Sequence, residues 1–223
     1  MNALPGWLDR RRYAHLLAAL LLLIVGFPFV ARLDFGPYLL RGLWVLVVVV
    51  AVLSAGRRAG FRHVALFLGV LALVPRILEP VLERHLPAAT EGLAGLLLVF
   101  VAWVILKDVL KRERVTAETI NGALCVYLLA GLIWSQLYVI VESAAPGSFR
   151  LAEPASFPGA LEQQLTYFSF VTQTTLGYGD MAPVSPVARS LSIGQAVTGQ
   201  MYLAVLIARL VALEIAHRRE RTG

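Results

Sequence analysis

Residues 161–180 read Leu161-Glu162-Gln163-Gln164-Leu165-Thr166-Tyr167-Phe168-Ser169-Phe170-Val171-Thr172-Gln173-Thr174-Thr175-Leu176-Gly177-Tyr178-Gly179-Asp180. The part up to Gln173 is largely free of helix breakers and predicts a helix. At 1.5 Å per residue it reaches only about 20 Å, too short to cross a hydrocarbon core of about 30 Å. Gly177, Gly179, Asp180 and Pro183 then predict irregular backbone. Apolar stretches flank the segment at 120–141 and 187–215, and Pro146, Gly147, Pro154, Pro158 and Gly159 mark 142–160 as an external loop. A half-length helix, an irregular return and then a full span make a re-entrant loop. Irregular backbone at membrane depth is tolerated only where it is buried in protein or lines a watery path.

The rest of the chain agrees with a membrane setting. Of 223 residues, 58% are hydrophobic and only 15% charged, with a mean hydropathy of +0.74. Apolar surface in that excess does not fit one globular core of this size. The composition excludes a disordered chain and argues against an ordinary soluble enzyme. Six stretches are candidate spans: 13–31, 38–55, 61–78, 93–106, 120–141 and 187–215. A span needs roughly 20 apolar residues. The third is interrupted by Pro75 and Arg76, and the fourth is short, so both need their flanks or burial against neighbours.

The net charge is +6 and the pI about 9.9, but the basic residues do not form a nucleic-acid face. They cluster at Arg10–Arg12, at Arg57, Arg58 and Arg62, at Lys107, Lys111, Arg112 and Arg114, and at Arg218, Arg219 and Arg221. With six spans all four clusters fall on one side, and the positive-inside rule makes both termini cytoplasmic. A cleaved signal peptide at Arg10–Arg12 is the rival reading, and removing that span would break the charge alternation. Cys125 is the lone cysteine, so neither an intrachain disulfide nor a cysteine metal cluster is expected.

The return segment Thr174-Thr175-Leu176-Gly177-Tyr178-Gly179-Asp180 resembles the selectivity filter of potassium channels, whose usual core is TVGYG, with Leu176 in place of Val. The resemblance runs in good register from the fifth span to the sixth, and more loosely over a six-span plan. A potassium ion must shed water without losing oxygen coordination, and backbone carbonyls aimed at an axis replace the hydration shell. Carbonyls of successive residues face one way when ordinary and left-handed backbone alternate, which Gly177 and Gly179 permit. The resemblance implies K+ sites at the carbonyls of Thr175, Leu176, Gly177 and Tyr178, with Gly179 completing the filter. Leu176 and Tyr178 then point outward to brace it, and the Thr175 hydroxyl adds an inner ring of oxygens. Thr174, Asp180, Tyr167 and Val171 stand behind it as support.

The implied fold is an all-α membrane protein. Four peripheral transmembrane helices (1–117) precede a two-helix pore domain (118–215) with a re-entrant pore helix and filter, and a short cytoplasmic tail (216–223) follows. One filter string per chain and a ring of four loops imply a homotetramer in the plasma membrane, with lipid and K+ as partners and no cofactor beyond the permeant ion. In the sixth span Gly199 falls where this family carries a gating hinge, whereas Gly194 is as readily explained by close packing. Leu203, Ala204, Ile207, Ala208 and Val211 suit an apolar inner vestibule, or ordinary helix packing. Gln200 faces the cavity or a neighbouring helix. Arg209 snorkels to the cytoplasmic interface or pairs with Asp108, Glu113 or Glu118.

Several features of related channels are missing. A voltage sensor needs repeated Arg or Lys within the field, and none lies between Glu91 and Leu106. The eight residues after Ile215 leave no room for a nucleotide-binding or calcium-sensing module. In one branch of the family a carboxylate and a Trp brace the Asp after the filter. By register here Val171 holds the carboxylate place, and Tyr167 and Phe168 replace a Trp pair. Val171 and Phe168 cannot hydrogen-bond Asp180, which is then solvated or paired elsewhere, with Tyr167 or Arg189 as candidates. A weakly selective cation channel is the alternative, although such channels alter the filter Tyr or Gly. An enzyme lacks any constellation here: His15, His63, His85 and His217 are scattered. A broken-helix transporter lacks paired repeats.

Overall fold

The computed structural model describes residues 11–30, 45–47, 49–50, 59–82, 87–154 and 159–222. In chain order the elements are α1 (Arg12–Val30), α2 (Ala59–Leu82), α3 (Pro87–Lys111), α4 (Ala117–Ala144), β1 (Phe149–Arg150), α5 (Ala160–Gln173), β2 (Ala182–Pro183) and α6 (Pro186–Thr222). Among the described residues, three helical stretches are long and apolar enough to cross a membrane: Gly92–Lys111, Ala117–Ala144 and Pro186–Ala216. The apolar parts of α1 and α2, Arg12–Gly26 and His63–Val74, are shorter. Pro75 does not end α2, which continues to Leu82. Most of the expected second span lies outside the described residues, as do Arg10, Arg57 and Arg58. Residues 216–222, in the expected tail, continue α6.

Two cores organise the chain. The larger joins Tyr13, Leu16 and Leu20 of α1, Ala65 and Ala72 of α2, Leu97, Val101 and Ile105 of α3, and Cys125, Leu129 and Leu132 of α4. The smaller joins Tyr138 of α4, Phe149 of β1, Leu165 and Phe168 of α5, Met181, and Ala188 of α6. Within it the rings of Tyr138, Phe149 and Phe168 meet pairwise edge to face, with centroids 5.1 to 5.4 Å apart. Such geometry is favoured by the ring quadrupole, and here it ties a spanning helix, the outer loop and α5 together.

Helix α4 begins with a capping box. The Thr119 amide donates to Thr116 Oγ1 at 3.2 Å, and Thr119 Oγ1 accepts from the Thr116 amide at 3.3 Å. At its far end the Glu142 carboxylate accepts from the amides of Gly147 and Phe149, which turns the chain into β1. Antiparallel pairing of Phe149 with Pro183 and Arg150 with Ala182 then pins the outer loop to the segment leaving residues 174–180. Pro186 opens α6, where a missing N–H costs nothing. The Ser185 hydroxyl accepts from the Ala188 amide.

Candidate functional site

Helix α5 has 14 residues, and Leu165, Phe168, Ser169, Val171 and Gln173 are buried between α4 and α6. The turn out of it is closed by backbone bonds. The amide of Thr174 donates to Phe170 O at 3.0 Å, that of Thr175 to Thr172 O at 3.1 Å, and that of Leu176 to Val171 O at 2.9 Å. The Thr174 hydroxyl donates to Phe170 O at 2.7 Å and the Thr175 hydroxyl to Thr174 O at 2.7 Å. The chain therefore leaves α5 abruptly, in a fixed direction, with the negative end of the helix dipole beside it.

Beyond this turn φ is positive at every second residue: Thr175 at 59°, Gly177 at 60° and Gly179 at 83°. The two glycines take that conformation without a Cβ penalty. Thr175 does not, because a β-branched residue at positive φ is strained, and such strain concentrates at functional sites. Residues 174–180 are all exposed, including the large side chains of Leu176 and Tyr178. Asp180 accepts from the Tyr167 hydroxyl at 2.8 Å and from the Met181 amide at 3.0 Å. Arg189 goes elsewhere, donating to Pro183 O at 3.3 Å. Val171 is buried and supports the turn through its carbonyl, and Phe168 belongs to the aromatic triad.

The sequence reading missed a buried polar network behind α5. Gln195 of α6 is fully buried and accepts from the Tyr138 hydroxyl. Its amide nitrogen lies 3.0 Å from Ser169 O, 2.7 Å from Ser169 Oγ and 3.3 Å from Gln173 Oε1. Ser169 Oγ in turn donates to Gly131 O at 2.6 Å, and Gln173 Nε2 donates to Tyr127 O at 2.8 Å. The available signal was Ser169 and Gln173 four residues apart on α5, with a glutamine inside an apolar span opposite.

Helix α6 has two faces. Gln195, Gly199, Tyr202, Leu206 and Arg209, spaced by alternate steps of four and three, turn toward the rest of the chain. Tyr202 donates to Ala123 O at 2.7 Å. A Cβ on Gly199 would lie 2.9 Å from Gln173 Cγ and 3.0 Å from Gln173 O, so this glycine is a close-contact point. The helix is unbroken there. Ala204, Ile207, Ala208 and Val211 are exposed, Leu203 is half-buried, and Gln200 is exposed too.

Arg209 meets none of the acids expected of it. Its guanidinium donates to the carbonyls of Val109 (2.9 Å), Leu110 and Arg112 (3.3 Å), at the C-terminus of α3. Asp108 is taken instead by Arg12 at 2.8 Å, the Tyr13 hydroxyl at 2.7 Å and Arg112 at 2.8 Å.

Residues 122–214 match the family model described as Ion channel, which is less than half of the chain. The chain is similar to the inward rectifier potassium channel Kirbac3.1 of Paramagnetospirillum magnetotacticum, 29% identical over 96 residues, covering 42% of this chain and 31% of the relative. It is also similar to the two pore potassium channel c of Oryza sativa subsp. japonica, 32% identical over 81 residues, 36% of this chain and 17% of the relative. The chain thus spans less than a third of the length of these relatives. The matched region covers nearly all of α4 and everything from there to late α6, the part that builds the exposed return. Together with the apolar helices, these matches point to an integral membrane protein whose residues 122–214 are similar to an ion-channel domain, and not to an enzyme.

Proposed function

We propose that the protein is a potassium-selective channel that conducts K+ passively as a homotetramer, with little intrinsic voltage dependence. The observation that carries this reading is positive φ at Thr175, Gly177 and Gly179, alternating along an exposed strand that leaves a half-length buried helix. That alternation turns successive carbonyls toward one side, as an ion-coordinating ladder requires. Carbonyls of Thr175, Leu176, Gly177 and Tyr178 serve as the K+ sites, with the ion as cargo and no cofactor. Both relatives are potassium channels by name, which supports the choice of ion.

Tetramer formation explains the exposed apolar surface. Ile193, Val197, Met201, Val205 and Ile207 of α6 and Leu176 and Tyr178 of the filter all lie open in the single chain. Neighbouring copies around a central axis cover part of this surface, and lipid covers the remainder. Residues 118–215 form the pore domain and 1–117 a peripheral domain without a working sensor. The basic end that gathers Arg12, Lys111, Arg112 and Arg114 faces the cytoplasm of the cell's plasma membrane, with both termini on that side.

The test is the reversal potential of the purified protein in a bilayer with K+ on one side and Na+ on the other. The expected reversal lies near the K+ equilibrium potential, and Gly177→Ala or Tyr178→Asp moves it toward zero or abolishes current. A wild-type channel passing both ions equally overturns selectivity.

A further inference from the structure

We propose that Gln195 is a positioning residue for the inner end of the filter, acting through Ser169 and Gln173 of α5. The inference rests on the channel reading above and assigns a control point to it. Gln195 is fully buried on a spanning helix, where an amide is costly unless it is satisfied at both ends. Both ends are satisfied here. Its oxygen takes the Tyr138 hydrogen, and its nitrogen faces Ser169 O, Ser169 Oγ and Gln173 Oε1. The network thus joins α4, α5 and α6 through one side chain.

Its reach toward the filter is short. Gln173 is two residues before Thr175, whose φ of 59° marks the strained first step of the filter. Gln173 is held from four sides. Its side-chain nitrogen donates to Tyr127 O, its side-chain oxygen faces Gln195, its backbone carbonyl accepts from the Tyr127 hydroxyl at 3.4 Å, and Gly199 of α6 presses against it. A strained residue persists only where the surrounding structure over-determines it. Val171 offers no carboxylate at its own position to brace the filter from behind. The amide of Gln195 supplies the polar clamp from α6, at the cavity end, whereas Tyr167 and Asp180 tie the opposite end.

The experiment compares wild type, Gln195→Leu, Tyr138→Phe and the double variant as purified tetramers in planar bilayers. It reads the decay of K+ current, the Na+/K+ permeability ratio and tetramer integrity by size-exclusion chromatography. Gln195→Leu keeps the volume and removes every hydrogen bond of the hub. It is expected to accelerate current decay by about tenfold and to raise the permeability ratio severalfold, because buried polar groups are left unpaired beside the filter. Tyr138→Phe retains the ring packing with Phe149 and Phe168 and removes one donor, so a change of about threefold in the same direction is expected. The double variant is expected to be no worse than Gln195→Leu alone, as members of one network are not additive. Intact tetramers of either variant with wild-type decay and permeability overturn the proposal, as do variants that lose only thermal stability. If Gln195→Leu does not assemble, Tyr138→Phe decides alone. A wild type that passes both ions equally defeats the proposed selectivity, and current decay then still reports on the positioning role.

Discussion

Tyr167 donates its phenolic hydrogen to the Asp180 carboxylate at 2.8 Å, joining the middle of α5 to the residue that ends the proposed filter. Both groups are exposed in the chain, so the bond is a light tether rather than a buried brace. A hydrogen bond of this kind contributes about 0.5–1.5 kcal/mol net. Asp180→Asn preserves an acceptor and Tyr167→Phe removes the donor. Both are expected to change slow decay of K+ current less than about tenfold and to leave bi-ionic reversal potentials unchanged. Loss of K+ selectivity in Asp180→Asn would mark Asp180 as an essential brace.

The two glycines of α6 separate cleanly. A Cβ on Gly199 meets the Gln173 carbonyl at 3.0 Å, and backbone cannot yield as a flexible side chain can. A Cβ on Gly194 meets only the Trp134 ring edge at 3.4 Å. Overpacking a tight site costs about 1–3 kcal/mol. Gly199→Ala is therefore expected to lower the melting temperature of the purified protein by several degrees and to reduce current. Gly194→Ala is expected to match or slightly exceed wild-type stability, since Ala is the better helix former. Thermal denaturation followed by loss of the tetramer peak checks both. A Gly199→Ala protein of undiminished stability and altered gating would support the hinge role expected of Gly199.

Much of this site was legible because it is local. Residues 161–173 have no breaker, Gly177 and Gly179 announce left-handed backbone, and Val171 cannot reach Asp180 as a hydrogen-bond partner. Asp180 was expected to be solvated or paired with Tyr167 or Arg189, and the structure pairs it with Tyr167. The polar network was not legible, because Gln195 gains meaning only when α6 is rotated to face Ser169 and Gln173, and rotation about a helix axis is set by tertiary packing. The carbonyl partners of Arg209 were not legible for a related reason. Sequence displays acidic side chains as partners for an arginine, but it hides the unsatisfied carbonyls that every helix end presents. The peripheral helices were the least determined, since α2 passes through Pro75 without ending.

Opening should depend only weakly on voltage. Helix α3 carries no Arg or Lys from Gly92 to Leu106. Lys107 lies over the Trp103 ring at 3.7 Å, at the basic end of the helix. Moving one unit charge through the field is worth about 2.3 kcal/mol per 100 mV, so a steep response needs several such charges. The expected conductance–voltage relation has an effective charge below about one, and Lys107→Gln leaves its slope unchanged. A slope equivalent to several charges, or one that flattens on neutralising Lys107, would place a sensor in this helix after all.

Arg209 links the lower half of α6 to the peripheral helices by capping α3. Its guanidinium reaches the carbonyls of Val109, Leu110 and Arg112, the first shared with the Arg112 amide, and its positive charge lies at the negative end of the α3 dipole. Hydrogen bonds from a charged donor contribute about 1.5–3 kcal/mol each when sheltered, and less where exposed as at Leu110. Arg209→Met removes all of them. Arg209→Lys keeps the charge but not the planar fork that serves several carbonyls at once. The expected order of stability is wild type, then Arg209→Lys, then Arg209→Met, with the last losing several degrees, since 1 kcal/mol shifts a chain of this size by about 2–4 °C. Because the contact joins the inner end of α6 to α3, open probability is expected to shift in the same order at every voltage. Asp108→Asn is the control: it weakens the separate cluster of Arg12, Tyr13 and Arg112 while leaving the Arg209 carbonyl partners in place. Melting curves and single-channel recordings on the four proteins distinguish the cases. If Arg209→Met matches wild type in both, the cap holds nothing that the rest of the packing does not already hold.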